Sequence, residues 1–357
     1  MEKLEYRCEY NKKDSAIAFL LSLFAPFLVS IIYSVVCATF FPEFTFVMEA
    51  GEFVLDATGN RILTSVCCYV SVILTQLTFF LSFFIYNKLT KTNTFKANNI
   101  KFNLNIYQCL IIVVIGIVLM YGFSPLTNYI QYVLSLIGFK NASFNFLDFS
   151  NVGMLIFNII VVGFLPAVFE ELMFRGIVFN GLKKDGIKKA IVFTGLMFAI
   201  MHLSIHQTVY QFVLGMLLCY LVYETGSIVS SMLLHFFNNA FILVLSFFQT
   251  SEEVAWAPSN IFDHILPFVY AIGSLAIVFA LIILLKKVSK KENKLSFNEK
   301  SQQDENINNN GEIDSDEIKA LQSKEKNKAF DNMFLFIASL AVGIVFWLVE
   351  VILDFMG

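Results

Sequence analysis

Two adjacent glutamates, an arginine, two histidines and an asparagine lie in stretches that are otherwise apolar. They are Glu170, Glu171 and Arg175 in FEELMFRG, His202 in FAIMH, and His235 and Asn239 in HFFNN. A charge in a membrane-length apolar segment is costly and marks either pairing or function. The chain has four histidines, and His202, His206 and His235 fall within 34 residues of one another. Helical residues four apart share a face, whereas neighbours point about 100° apart. Glu171 therefore faces Arg175 as an internal ion pair, and Glu170 is left free to work on a water. Phe198 and His202 share a face at the same spacing, as do His235 and Asn239, with Asn238 at i+3. A carboxylate beside an imidazole can deprotonate water, and a second histidine with an amide can donate to a developing oxyanion. That is the minimum for hydrolysing an amide bond without a covalent nucleophile. The alternative is metal chemistry, with Glu170, His202 and His235 holding zinc and a water in the fourth place. No HExxH helix occurs, and Ser227, Ser230 and Ser231 in TGSIVSS lack the G-x-S-x-G frame of a nucleophilic serine.

Positioning such groups requires a scaffold, and the composition says which kind. Of the 357 residues, 57% are hydrophobic and 15% charged, against about 25% charged in an ordinary soluble protein. A net charge of −3 gives no hint of nucleic acid. The six cysteines lie mostly inside apolar runs without paired spacing and read as buried thiols. A span needs about 20 apolar residues. Apolar runs cover 16–41, 62–86, 106–123, 152–182, 190–202, 209–223, 227–248, 265–285 and 333–355. The first, at 26 residues, is too long for a cleavable signal and reads as a retained helix.

Numbering the ends of nine spans alternately, from a cytoplasmic amino terminus, puts 22 of the 25 basic residues inside. They are Lys3 to Lys13, Lys88 to Lys101, Lys183 to Lys189, and ten lysines from Lys286 to Lys328. Arg61 and Lys140 fall outside. This is the bias that fixes membrane orientation. The fold class expected is all-α: a polytopic membrane helix bundle of about nine transmembrane helices in a cell membrane. Residues 1–150 form the first three, 151–250 a catalytic helix core, 251–285 the eighth and 333–357 the last. The stretch 286–332 is polar and Asn-rich and reads as a disordered cytoplasmic loop. Residues 124–136 are mildly amphipathic and read as lying along the outer interface.

The runs ending at Lys183 and starting at Lys188 make an antiparallel hairpin. At 1.5 Å per residue Glu170 lies about 20 Å back from Lys183, and His202 about 21 Å beyond Lys188. The two share a level. His235 and Asn239 lie about 12 and 18 Å from the same face, so stretches far apart in sequence can converge in one cavity.

In this order and spacing the three patterns resemble the CPBP intramembrane proteases, which include the type II CAAX prenyl endopeptidases and bacterial Abi proteins. FEELMFRG matches the Glu-Glu-x-x-x-Arg motif, Phe198-x-x-x-His202 the second and His235-x-x-x-Asn239 the third. The resemblance covers about 153–248. It implies an all-helical peptidase in which Glu170 and His202 activate water while His235 and Asn239 stabilise the oxyanion. The His235-Asn239 pair suits oxyanion donation better than zinc ligation, so no cofactor is expected, with zinc as the alternative. A Phe-, Asn- and Lys-rich composition resembles that of a low-GC bacterium. A peptide pheromone, a bacteriocin leader or another membrane-close segment is then the expected substrate, with the lipid bilayer as the other partner. His206 reads as an interfacial histidine, His264 as a loop residue, Phe198 as a packing wall and Asn238 as a helix bridge. A competing reading is a non-proteolytic scaffold or regulator that keeps the fold, serving bacteriocin immunity or control of a sensor kinase. A transporter is supported by the intramembrane charges alone, without paired broken helices.

Overall fold

The structure, a computed structural model, describes residues 7–40, 45–49, 52–56, 61–98, 100–139, 146–249, 256–300 and 315–356. Among these are ten helices: α1 (Lys12–Phe40), α2 (Arg61–Leu89), the single turn α3 (Thr94–Ala97), α4 (Ile106–Leu136), α5 (Val152–Asp185), α6 (Ile187–Met201), α7 (Thr208–Thr225), α8 (Val229–Phe248), α9 (Ile261–Lys300) and α10 (Ser315–Met356). Eight of them are long and apolar enough to cross a membrane, and the chain is a multi-pass helical bundle. A two-stranded antiparallel hairpin, β1 (Thr45–Glu49) and β2 (Glu52–Asp56), adds a small element to the all-helical expectation. It pairs Thr45 with Asp56 and Glu49 with Glu52. Its signal is the Thr/Phe/Val run on either side of Ala50-Gly51.

The fifth apolar run is the exception among the expected spans. It folds as α6, whose 15 residues reach only about 22 Å, short of a core of about 30 Å. It is therefore not among the eight helices that could cross, and the turn 202–207 follows it. His206 in that turn stacks near Phe139 (6.3 Å between ring centroids), which also meets Phe355 at the far end of α10 (5.5 Å). Burial pushes the His206 imidazole below its usual range.

The helix ends that carry the basic residues are tied to one another. Lys12 pairs with Asp185 (2.9 Å) and Lys184 with Glu9 (2.5 Å). Ser227 donates to the Lys101 carbonyl, and Lys286 sits over the Tyr220 ring at 5.5 Å. Arg7 and Tyr86 both reach Asp14 Oδ1 (2.7 and 2.5 Å). One end of the bundle is therefore lysine-rich and polar. The other gathers aromatic groups, with Tyr129 and Tyr132 against Trp256 and Tyr129 bonded to His264.

Two segments differ from their sequence reading. Residues 124–136 continue α4 through Pro125 instead of lying along the interface, since a proline removes one donor from a helix that still holds its neighbours. Within 286–332, residues 286–300 prolong α9 and 315–332 begin α10. Their Lys, Glu and Gln residues are good helix formers and need no core to extend a helix already nucleated by the membrane span. The remaining positions of that loop, 301–314, lie outside the described residues.

α5 is not uniform. Two π-helical stretches, Ile159–Phe164 and Leu172–Val178, flank the α-helical Leu165–Glu171. Wide turns of this kind interrupt helices at functional sites. Asn180 donates to the Arg175 and Gly176 carbonyls (3.0 and 2.7 Å) and closes the second stretch.

α6 and α7 lie along each other at Gly195 and Gly215. A Cβ on Gly215 would stand 3.0 Å from the Gly195 Cα and 3.2 Å from the Phe198 ring. Small residues let membrane helices approach this closely. Replacing Gly215 by Ala should force the two helices apart and lower stability by about 1–3 kcal/mol, read as a drop in Tm in detergent. Gly273→Ala, whose Cβ would meet no neighbouring side chain or helix within 4 Å, should not lower Tm.

Candidate active site

Arg175 sets the arrangement. It is fully buried, as is Glu171, and its Nη1 donates to Glu171 Oε1 at 2.7 Å. The i, i+4 spacing survives the change to π-helical geometry between them. Nη2 donates to the Gly215 carbonyl on α7 at 3.0 Å, and the guanidinium lies 4.4 Å from the centre of the Phe198 ring on α6. A buried cation thus finds a carboxylate, a carbonyl and an aromatic face on three helices.

Phe198 is the wall shared by the other groups. Its ring contacts His202 at 4.6 Å and His235 at 5.7 Å between centroids. His202, at the end of α6, bonds through Nδ1 to the Phe198 carbonyl at 2.8 Å. A carbonyl only accepts, so Nδ1 carries the hydrogen and the lone pair of the neutral ring is on Nε2. The hydrogen bonds among these groups join His202 to the Phe198 carbonyl, Glu170 to Gln76 and His235 to Glu171.

Glu170 and Glu171 are adjacent but live in different surroundings. Glu170 is buried and takes one hydrogen bond, from Gln76 Nε2 on α2 to Oε1 at 3.0 Å; its Oε2 has no protein partner. Glu171 takes the cation and, on the same oxygen, His235 Nδ1 at 3.0 Å. The histidine on α8 therefore meets Glu171 and not Glu170. Glu171 orients His235 as well as balancing Arg175, a role that the reading of Glu171 as a structural ion pair leaves out.

Asn239 has a different partner again. Pro166 has no N–H to give to the Val162 carbonyl four residues earlier, and Asn239 Nδ2 donates to that carbonyl at 3.3 Å. Its Oδ1 accepts from Asn238 Nδ2 at 3.2 Å, and Asn238 accepts from Tyr210 OH on α7. One N–H of the Asn239 amide remains for other work. Gln76 and Tyr210 carried no sequence signal of their own, because a single Gln or Tyr in an apolar run fits many roles.

Among the described residues, no group of three or more His, Cys, Asp or Glu is arranged to hold a metal. In the set Glu170, His202 and His235, each side chain spends one atom on a different protein group, namely Gln76, the Phe198 carbonyl and Glu171, and keeps its second oxygen or nitrogen.

Residues 152–241 match a family model described as Rce1-like, type II CAAX prenyl endopeptidase. The match runs from the start of α5 into α8 and takes in Glu170, Glu171, Arg175, His202, His235 and Asn239. No curated protein and no solved structure matches the chain.

Breaking the buried pair on one side should cost more than removing it. Glu171→Gln strands a buried guanidinium and should lower stability by about 3–5 kcal/mol. Adding Arg175→Met to that variant should recover much of the loss, as measured by thermal unfolding in detergent. Losses that simply add would mean that the two groups are not coupled.

Proposed function

We propose that this multi-pass membrane protein, whose residues 152–241 match the Rce1-like family, is an intramembrane endopeptidase that cleaves a membrane-associated peptide or protein by metal-free general-base catalysis. At the level of the family the segment is that of a CAAX-type membrane protease. The mechanism rests on one observation above the others. Glu170 is buried with Oε2 unclaimed, and His202, whose Nδ1 is tied off, keeps Nε2 as its basic nitrogen.

Glu170, supported by His202, takes a proton from water. The oxygen forms a bond to the carbonyl carbon, and the carbonyl electron pair moves onto oxygen. His235 and the second N–H of Asn239 donate to that oxyanion. For His235 this requires a hydrogen on Nε2, since Nδ1 is committed to Glu171. The electron pair then returns, the C–N bond breaks, and Glu170 passes its proton to the leaving amine. Arg175 offsets the charge of Glu171, which leaves Glu170 as the acidic group available for proton transfer.

The lysine-rich ends of the helices face the cytoplasm in this reading, with the amino terminus among them. The substrate is a segment lying at or in the bilayer next to the site.

Glu170→Gln should reduce cleavage by at least about 10³-fold, in line with loss of a general base together with its positioning role. The assay compares membrane peptides by proteomics between strains that carry the native protein and the variant. Peptides that accumulate only in the variant support the assignment. An unchanged peptide profile, together with full phenotypic rescue by Glu170→Ala/His235→Ala, would replace it with a non-proteolytic role. Cleavage by the purified protein should persist in the presence of a zinc chelator, and loss of activity would overturn the metal-free part.

A further inference from the structure

We propose that Gln76 on α2, outside the family-matched segment, is a positioning residue for Glu170: its side-chain amide fixes Oε1 and so commits Oε2 to proton transfer. The inference deepens the reading given above, which supplies the role of the carboxylate it holds.

Gln76 Nε2 and Glu170 Oε1 are 3.0 Å apart, and both residues are more than nine-tenths buried, with exposures of 8% and 6%. Among the described residues this is the hydrogen bond that Glu170 receives from the protein. The partner oxygen, Oε2, and Gln76's own Oε1 are buried without a protein partner. Each group thus spends one atom on the other and keeps one acceptor.

The contact is held in register from both sides. Seven residues before Gln76, Tyr69 OH donates to Asn158 at the start of α5 (2.5 Å), and the same hydroxyl accepts from the Asp148 backbone (2.9 Å). Four residues after it, Phe80 packs on Phe169, next to Glu170, with ring centroids 4.9 Å apart. α2 is therefore fastened to α5 above and below Gln76, which leaves the amide little freedom to move along Glu170.

Chemistry explains why an amide suits this place. α2 carries no charged residue between Arg61 and Lys88, so it approaches Glu170 with a neutral donor. Glu171, the next residue, is met by a guanidinium and an imidazole. A cation on a carboxylate offsets its charge and weakens it as a base, whereas an amide orients the group and leaves that charge in place. Adjacent glutamates are thereby given different work by neighbours from different helices.

The test reads the Glu170 carboxylate itself. With ¹³C-labelled glutamate in the purified, lipid-reconstituted full chain, the infrared difference between the native protein and Glu170→Gln isolates the stretching band of Glu170. Gln76→Met keeps the size of the side chain and removes the donor, and that band should shift. With a membrane lipopeptide that the native protein cleaves as the probe, kcat should fall about tenfold at unchanged KM, equivalent to one lost hydrogen bond to a charged group. A band that does not move in folded Gln76→Met overturns the proposal. Should that variant not fold, Gln76→Glu replaces the donor by a group that accepts when ionised, and the same shift is expected and the same constancy is fatal. A shifted band with no cleavage activity in the native protein would leave Gln76 as the residue that holds Glu170 and remove the peptidase reading instead.

Discussion

A guanidinium with no exposure at all lies inside a protein whose surroundings are lipid. Such a cation is tolerated only when its charge and its hydrogens are met. Arg175 meets most of that requirement with Glu171, the Gly215 carbonyl and the face of Phe198, which belong to α5, α7 and α6, while its Nε has no hydrogen-bond partner in the protein. Glu171 then takes His235 from α8 on the oxygen that Arg175 already holds. Four helices converge on one charge. The close approach of α6 and α7 at Gly195 and Gly215 follows from the same need, because a bulkier residue at Gly215 would move the carbonyl away from Arg175.

With that charge satisfied, the neighbouring carboxylate is free for other use. Glu170 points away from Glu171 by about a quarter turn and meets α2 through a neutral amide. The helix that carries both glutamates is loosened on either side by π-helical stretches, and Pro166 removes a further backbone donor. Asn239 supplies what Pro166 cannot, by donating to the Val162 carbonyl. The asparagine next to the candidate oxyanion region thereby also repairs the helix that positions the base, and the tie through Asn238 to Tyr210 sets which way its amide points.

Much of this architecture is legible in the sequence, for physical reasons. Apolar length and the placement of lysines are set by the bilayer, so the membrane helices and their lysine-bearing ends can be read directly. The short α6 is harder, because its apolar run reads as a span although its 15 residues fall short of the bilayer core. The hairpin at 45–56 was missed, as its alternation is brief. Helical continuation over 286–300 and 315–332 was also missed; composition there argues against a core but not against a helix. Within the site, the Glu171 and Arg175 spacing is visible, whereas the partner chosen by His235 is not. Periodicity on one helix says which way a side chain faces, and the identity of its partner depends on how α8 is rotated against α5. Gln76 illustrates the same limit, since its helix lies about 90 residues upstream and has no pattern to mark it.

The account depends most on the sharing of Glu171 between Arg175 and His235. Solid-state NMR of ¹⁵N-histidine protein in lipid bilayers tests it directly, because four histidines can be assigned by single removal. The His235 Nδ1 signal should be that of a protonated nitrogen bonded to a carboxylate, and it should change in Glu171→Gln while His202 keeps its Nδ1–H on the Phe198 carbonyl. A His235 signal indifferent to Glu171→Gln, in a protein that is still folded, would contradict the account at its centre.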